Sequence, residues 1–227
     1  MTKVNLYNID NIGFMKKLPN NYYSLALTDP PYGIGESGQT NKSRGLLATS
    51  KDYGNKQWDK SSPPIEYFNE LIRVSKNQII FGANHFISKI PYNSSCWIVW
   101  DKDNGATDFA DCELAWTSFK TAVRIFKFKW QGMLQENMKN KQKRIHPTEK
   151  PIKLYEYLLE NYAKKGDKIF DSHGGSMSSV IACINMQFDI DCCELDKDYF
   201  KDATNRVQKH ATQLDMFRPQ PEINIFE

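Results

Sequence analysis

Two consecutive prolines decide where the first long strand of this chain must stop. Tyr22 to Thr28 (Tyr-Tyr-Ser-Leu-Ala-Leu-Thr) is an apolar run of strand length, and it meets Asp29-Pro30-Pro31-Tyr32-Gly33. Pro31 keeps Pro30 out of helical backbone, and neither proline carries an N–H for a neighbouring strand, so the ladder ends there. The next stretch, Gly33 to Lys60, is rich in Gly, Ser, Asn and Lys and nearly free of apolar periodicity. Within a compact domain, so long a loop is a lid, a binding loop or disordered.

The rest of the chain alternates strand-like and helix-like segments. Strands are expected at Val4–Tyr7, Gln78–Phe81, Cys96–Trp100, Leu114–Thr117, Val123–Phe128, Lys168–Phe170 and Phe188–Cys193. Helices are expected at Asn11–Leu18, Pro64–Val74, Ile152–Tyr162, Ser178–Met186 and Lys197–Gln213, with a helical turn around Asn84–Ile90. Ile65, Phe68, Leu71 and Ile72 show the helical spacing clearly. Such alternation argues for an α/β fold with a mostly parallel sheet. With 227 residues, 40% of them hydrophobic and 25% charged, the chain builds one well-cored domain, read as residues 1–227. That composition excludes a disordered or disulfide-stapled chain.

No apolar run spans a bilayer, and Met1-Thr2-Lys3-Val4-Asn5-Leu6 lacks a signal-peptide core, so a soluble cytoplasmic protein is expected. The five cysteines (Cys96, Cys112, Cys183, Cys192, Cys193) show no Cys-x-x-Cys spacing and the four histidines are scattered, so no metal site is expected. The net charge of +3 says little, but its distribution is informative. Lys120 to Arg144 holds eight basic residues against one acid, Glu136, a cluster suited to a polyanion.

Three constellations carry chemistry. Asp29-Pro30-Pro31-Tyr32 sits at the carboxyl end of a strand, where open α/β sheets bind ligands. A carboxylate and a stiffened backbone carbonyl can accept both N–H bonds of an aromatic amine and expose its lone pair. Tyr32 offers a flat face on which an extruded base can stack. The second is the strand, glycine turn and helix start of Ile169-Phe170-Asp171-Ser172-His173-Gly174-Gly175-Ser176-Met177-Ser178-Ser179. The following strand ends at Cys193 and is succeeded by Glu194, about where nucleoside-binding folds place a ribose ligand. The third, Arg144-Ile145-His146-Pro147-Thr148-Glu149-Lys150-Pro151, leads into a helix and on its own reads as a helix-start loop.

Together and in this order, these segments resemble the permuted, β-class S-adenosylmethionine-dependent DNA amino-methyltransferases. The match runs from Asp10-Asn11 through Lys197–Arg206, nearly the whole chain. The resemblance implies a Rossmann-like methyltransferase sheet with circularly permuted motif order and helices on both faces. It gives Asp29, Pro30, Pro31 and Tyr32 the catalytic segment, with Asp29 activating the base, Tyr32 stacking on it and the Pro30 carbonyl as acceptor. Asp171, His173, Gly175 and Ser176 fall on the family's D-P-F-x-G-S-G turn, and Glu194 on its ribose acid. Asp10 falls on the acid of the first G-D pair, and Thr148 and Lys150 on a segment packing over the cofactor.

This chain departs from the family where Ser172-His173 replaces Pro-Phe and Met177 replaces the last glycine. A methionine held at positive φ is strained, so the turn is expected to be helical already at Met177. The implied reaction is direct methyl transfer to an exocyclic amine of a flipped base. Adenine N6 is the preferred target because D-P-P-Y resembles the adenine enzymes more often; cytosine N4, or a DNA-binding module with a decayed cofactor site, are the alternatives.

Residues 33–60 then read as an active-site loop and residues 101–145 as a small basic target-recognition insert. From Val123 to Trp130 the pattern alternates, with Lys127 and Lys129 on one face and Phe126, Phe128 and Trp130 on the other. Lys127, Lys129, Lys141, Lys143 and Arg144 are the expected contacts to double-stranded DNA. In the tail, residues 213–227, Gln213-Leu214-Asp215-Met216-Phe217 resembles peptides that bind the replication sliding clamp. The competing reading, that its apolar residues staple the tail to the domain, is preferred. A cognate restriction nuclease is a further possible partner, and the chain is expected to be a monomer or homodimer. His85 reads as part of a packed turn.

Overall fold

The computed structural model describes residues 1–35, 56, 58–105, 110–130, 139, 144–213 and 219–227. Strand β1 (Lys3–Tyr7) leads to helix α1 (Asn11–Met15), which is capped by the Asp10 carboxylate accepting the Gly13 N–H at 2.7 Å. The helix stops short of the expected Leu18. Lys17 and Leu18 instead bond back three residues, tightening the chain before Pro19, which disfavours helical backbone at Leu18. Strand β2 (Tyr23–Thr28) ends just before Asp29. Helix α2 (Ile65–Val74) runs directly into β3 (Ser75–Phe81), which begins three residues earlier than its apolar core suggests.

Short 3-10 turns at Ala83–His85 and Ile87–Lys89 precede β4 (Trp97–Asp101), β5 (Cys112–Thr117) and β6 (Arg124–Lys127). The order then runs α3 (Ile152–Tyr162), β7 (Lys168–Asp171), α4 (Ser178–Met186), β8 (Asp189–Cys193) and α5 (Lys197–Thr212), ending in β9 (Glu222–Phe226). The nine strands of the described residues join one sheet in the order β6-β4-β5-β3-β2-β7-β8-β1-β9. Every pairing is parallel except those of β5, which runs antiparallel to β3 and β4. Thus the 101–145 stretch contributes β5 and β6 to the main sheet.

The central strands are buried on both faces, while the edge strands β6 and β9 are largely exposed. Leu25 and Leu27 of β2, Ile79 and Phe81 of β3, and Ile190 and Cys192 of β8 pack with α3, α4 and α5. Ala26, Ile80 and Cys193 point the other way, toward α1 and α2. The adjacent cysteines therefore face opposite layers, as the two-residue strand period requires.

No strand is expected after α5 from the sequence, yet β9 pairs in parallel with β1 through Lys3↔Glu222 to Tyr7↔Phe226. Phe226 stacks on Tyr7 at 4.6 Å. This segment is short and half polar, and only the open edge of β1 makes a strand of it. Residues 214–218, with most of the clamp-like peptide, lie outside the described residues.

One adjacency positions the site. β2 and β7 are parallel neighbours, registered Leu25↔Ile169 and Ala26↔Phe170. Their carboxyl ends, and with them Asp29 and the glycine turn, emerge side by side at the same rim of the sheet.

Candidate active site

The two strand ends are bolted together by hydroxyls. Thr28 Oγ1 and Ser172 Oγ share a hydrogen bond at 2.7 Å, and the Tyr67 hydroxyl of α2 joins Ser172 at 2.7 Å. His173 Nδ1 lies 3.0 Å from Ser172 Oγ, and Asn11 Nδ2 donates to the Ser172 carbonyl at 3.0 Å. Ser172 and His173, the departures from the family's Pro-Phe, thus knit the glycine turn to β2, α1 and α2. Burial pushes His173 down to about 3, so its ring is neutral at physiological pH. Sequence reasoning missed Asn11, the immediate neighbour of the expected Asp10. Asp10 itself is spent on the α1 cap and is exposed.

Around Asp29 the geometry is ionic. Its Oδ1 accepts the Tyr32 hydroxyl at 2.7 Å, and Oδ2 pairs with Lys150 Nζ at 2.5 Å. Lys150 also reaches Glu113 Oε2 of β5 at 3.1 Å, and Lys102 pairs with Glu113 Oε1. Burial pushes the Asp29 carboxyl up, Lys150 opposes that, and the Glu113 charge adds to it. Burial would also raise Glu113, but Lys150 and Lys102 overturn this and hold it down to about 2. Lys150 is only 3% exposed; burial works against its charge, yet Asp29 and Glu113 keep it firmly protonated. Lys150, expected from the sequence on the segment packing over the cofactor, sets its ammonium on Asp29. Glu113 and Lys102 were missed; the available signals were an acid inside an apolar strand and a lysine just past one.

Pro30 is buried and Pro31 half-buried behind this cluster. Tyr32 rests on Gly82, where φ is +66°. A Cβ at Gly82 would lie 2.0 Å from one Tyr32 ring carbon and 2.4 Å from the carbons on either side, hence directly over the ring face. Any side chain there would expel the tyrosine. The ring also stacks with His85 at 5.1 Å, and His85 is exposed rather than packed away.

The glycine turn has the form of a ligand cradle. A Cβ on Gly174 would meet Cys192 Sγ at 2.7 Å, so the turn lies flush on β8. Gly175 has φ +50° and donates its N–H to Glu194 Oε2 at 2.8 Å. Glu194 Oε1 accepts the Asp196 N–H at 2.8 Å. Each carboxylate oxygen keeps a second lone pair for a ligand hydroxyl. Asp171 accepts the Ser179 hydroxyl and the His173 N–H at 3.0 Å, and burial pushes it up to about 7.

Met177 is not helical as expected: it takes left-handed backbone, φ +54°, immediately before α4. Its side chain is fully buried in the core, which offsets a strain of about 1–2 kcal/mol. Ser176 is buried, and Arg206 Nη1 donates to its carbonyl at 2.6 Å.

His146 closes the cradle from above, its ring 3.8 Å from where a Gly175 Cβ would sit. Thr148 shares a hydrogen bond with His146 Nδ1 at 3.1 Å. Trp58 and Tyr199 pack on the His146 ring at 5.1 and 4.4 Å. The Trp58 indole N–H and the Tyr199 hydroxyl are buried, and neither meets hydrogen-bond geometry with any described residue. Lys56 pairs with Asp196 at 2.6 Å, and the Asp59 carboxylate accepts the Gly33 N–H at 2.8 Å, so both ends of the 33–60 segment are anchored at this rim. Close-approach backbone, a carboxylate on the next strand and aromatic rings form a set that fits a nucleoside cofactor.

At the sheet edge, Lys127 and Lys129 share a face as expected, and both approach the Asp103 carboxylate, at 2.9 and 3.6 Å. Phe126 packs on Tyr157 of α3 at 4.8 Å, and Trp130 is buried. Arg144 turns toward the Pro147 carbonyl. Lys141 and Lys143 lie outside the described residues.

Comparisons with known proteins converge on one family. A family model described as DNA methylase (N6/N4 methyltransferase) matches residues 88–205, just over half the chain. The type II methyltransferase M2.MboI of Moraxella bovis is 22% identical, over 92% of this chain and 92% of its own length. Among solved structures, the putative DNA modification methylase TTHA0409 of Thermus thermophilus, complexed with S-adenosyl-L-methionine, superposes with a TM-score of 0.61 at 15% identity, covering 98% of this chain and 99% of that one. PvuII DNA methyltransferase, cytosine-N4-specific, gives a TM-score of 0.59 at 14% identity, covering 97% and 89%.

Proposed function

The chain belongs to the DNA methylase family of N6 and N4 methyltransferases, and from that premise we propose that it transfers a methyl group from S-adenosyl-L-methionine to the exocyclic N6 of an adenine flipped out of double-stranded DNA. One observation carries the reading. The Asp29 carboxylate and the glycine turn of the cradle leave adjacent parallel strands at one rim, joined by the Thr28–Ser172 hydrogen bond of 2.7 Å.

S-adenosyl-L-methionine bound at that turn would supply an electrophilic methyl group on a positively charged sulfur, with the demethylated thioether as the neutral leaving group. The Gly174–Gly175 backbone, Asp171 and Glu194 hold it, with His146, Trp58 and Tyr199 above. An adenine amine is a weak nucleophile because its lone pair is delocalised into the ring. The Asp29 carboxylate and the Pro30 carbonyl take its two N–H bonds, turn the nitrogen toward tetrahedral geometry and free the lone pair. As the N–C bond forms and the C–S bond breaks, Asp29 is placed to receive the departing proton. Tyr32 provides the stacking face for a base out of the duplex.

Preference for adenine rests on the Asp-Pro-Pro-Tyr form of the catalytic segment. Lys127 and Lys129 engage DNA phosphates in exchange for Asp103. Likeness to type II methyltransferases supports pairing with a restriction nuclease.

The test is incubation with unmethylated DNA and donor, followed by nucleoside mass spectrometry. N6-methyladenine is the expected product. N4-methylcytosine would replace the target while leaving the mechanism, and donor binding without any modified base would overturn the reading.

A further inference from the structure

Before any substrate arrives, both oxygens of Asp29 are occupied, Oδ1 by the Tyr32 hydroxyl and Oδ2 by the Lys150 ammonium. An amine that needs Oδ2 as its acceptor must displace Lys150. A lysine so deeply buried cannot simply let go, because an uncompensated ammonium away from water is strongly unfavourable. Glu113 removes that obstacle. Its Oε2 already stands 3.1 Å from Lys150 Nζ, against 2.5 Å for Asp29 Oδ2, so a small shift of the ammonium exchanges one carboxylate for the other. Nζ also donates to the Tyr32 hydroxyl at 3.2 Å and lies 4.9 Å from the centre of the Phe81 ring.

We infer that Glu113 is a positioning residue for the amine methylation proposed above: it takes over Lys150 while Asp29 Oδ2 accepts the substrate N–H. Lys102, paired with the other Glu113 oxygen, keeps that carboxylate ionised and in place. The result is an alternating row of charges, Lys102, Glu113, Lys150 and Asp29. It runs from the end of β4 across β5 and the segment before α3 to the end of β2. Glu113 touches neither substrate nor donor in this scheme; it acts through Lys150. The inference rests on the proposed function and deepens it.

Glu113→Gln tests it, keeping the shape and removing the charge. The groups facing Asp29 are Tyr32 and Lys150 by direct contact, Glu113 across Lys150, and Asp171, Tyr67 and Tyr155 beyond. Of these, only Glu113 changes charge in the variant. Lys150 then stays on Asp29, so the kcat plateau falls ~10- to 100-fold, while donor affinity by calorimetry stays within about twofold. Loss of the neighbouring negative charge also lets Asp29 ionise more readily, so the acid limb of kcat against pH moves to lower pH as the plateau drops. A hairpin merely loosened by the change would not move the limb in that direction.

An unchanged plateau, or a lowered one with its limb fixed or moved up, overturns the inference. Should Glu113→Gln fail to fold, Glu113→Asp carries the test. Its charge sits one methylene farther from Lys150 and reduces the plateau by a smaller factor, and a wild-type plateau overturns the inference. Failure of the underlying reading looks different: the wild-type chain itself would then make no methylated base.

Discussion

Asp29 and Asp171 end neighbouring parallel strands, both face the same rim, and burial pushes both carboxyls up. Their company differs. Asp29 meets an ammonium, with a second carboxylate competing for it. Among the described residues Asp171 is hydrogen-bonded by dipoles, the Ser179 hydroxyl and the His173 N–H, and burial raises it to about 7. A buried carboxylate paired with a cation is governed by where that cation sits. One held by dipoles is governed by pH. The first arrangement suits a group that must exchange partners during a reaction, and the second suits one that anchors a turn.

The strongest challenge to this contrast is Asp29→Ala. It should cost turnover by ~100- to 10,000-fold with donor binding retained; full activity would remove Asp29 from the chemistry. Next is Lys150→Met, which leaves Asp29 and Glu113 facing each other without their shared cation. Urea unfolding should show a loss of about 3–5 kcal/mol. Ser179→Ala, which deletes one hydrogen bond to Asp171, should cost about 1–2 kcal/mol. Equal losses would mean that the cation and the dipole do the same work.

A pH series sharpens the other half. Asp171 titrates near 7 in the folded chain, against an ordinary value of 3.8. Across that window the native state holds a proton the unfolded chain has released, so this group's contribution to stability falls as pH rises from about 4 to about 7. Asp171→Asn should abolish that downward slope in denaturation midpoints between pH 5 and 8, whereas a slope identical to wild type would place the titration elsewhere. The smallest effect is expected at the exposed end of the scale. Lys127→Ala with Lys129→Ala should weaken DNA binding for all sequences and lower the salt-dependence slope by about 1–2. It should do so by less than two full contacts, because Asp103 partly neutralises both lysines in the free protein. An unchanged slope would take this strand off the DNA.

Much of the fold was legible because its cues are local. The Pro30-Pro31 stop, the helical spacing of Ile65 to Ile72 and the alternation from Val123 to Trp130 each express a backbone rule within a few residues. Other features had no local cue. Glu222–Phe226 looks like a polar tail until β1 offers it an edge. Met177 violates the local expectation outright, since core packing holds a buried methionine in left-handed backbone where propensity alone argues for helix. Gly82 reads as an ordinary turn glycine until the Tyr32 ring is seen lying against it.

The candidate site divides along the same line. Asp29, Tyr32, the Gly174–Gly175 turn and Glu194 were recognisable from residue type and order alone, because strand ends and glycine turns are short-range devices. The partner of each charged group was not. Lys150 lies 121 residues from Asp29, and Glu113 a further strand away on β5. Sequence by itself singled out candidate residues and placed them at the ends of strands. Only the packed sheet decided that one lysine would stand between two carboxylates, because Coulomb attraction depends on distance in space and burial, and neither is written in the order of the chain.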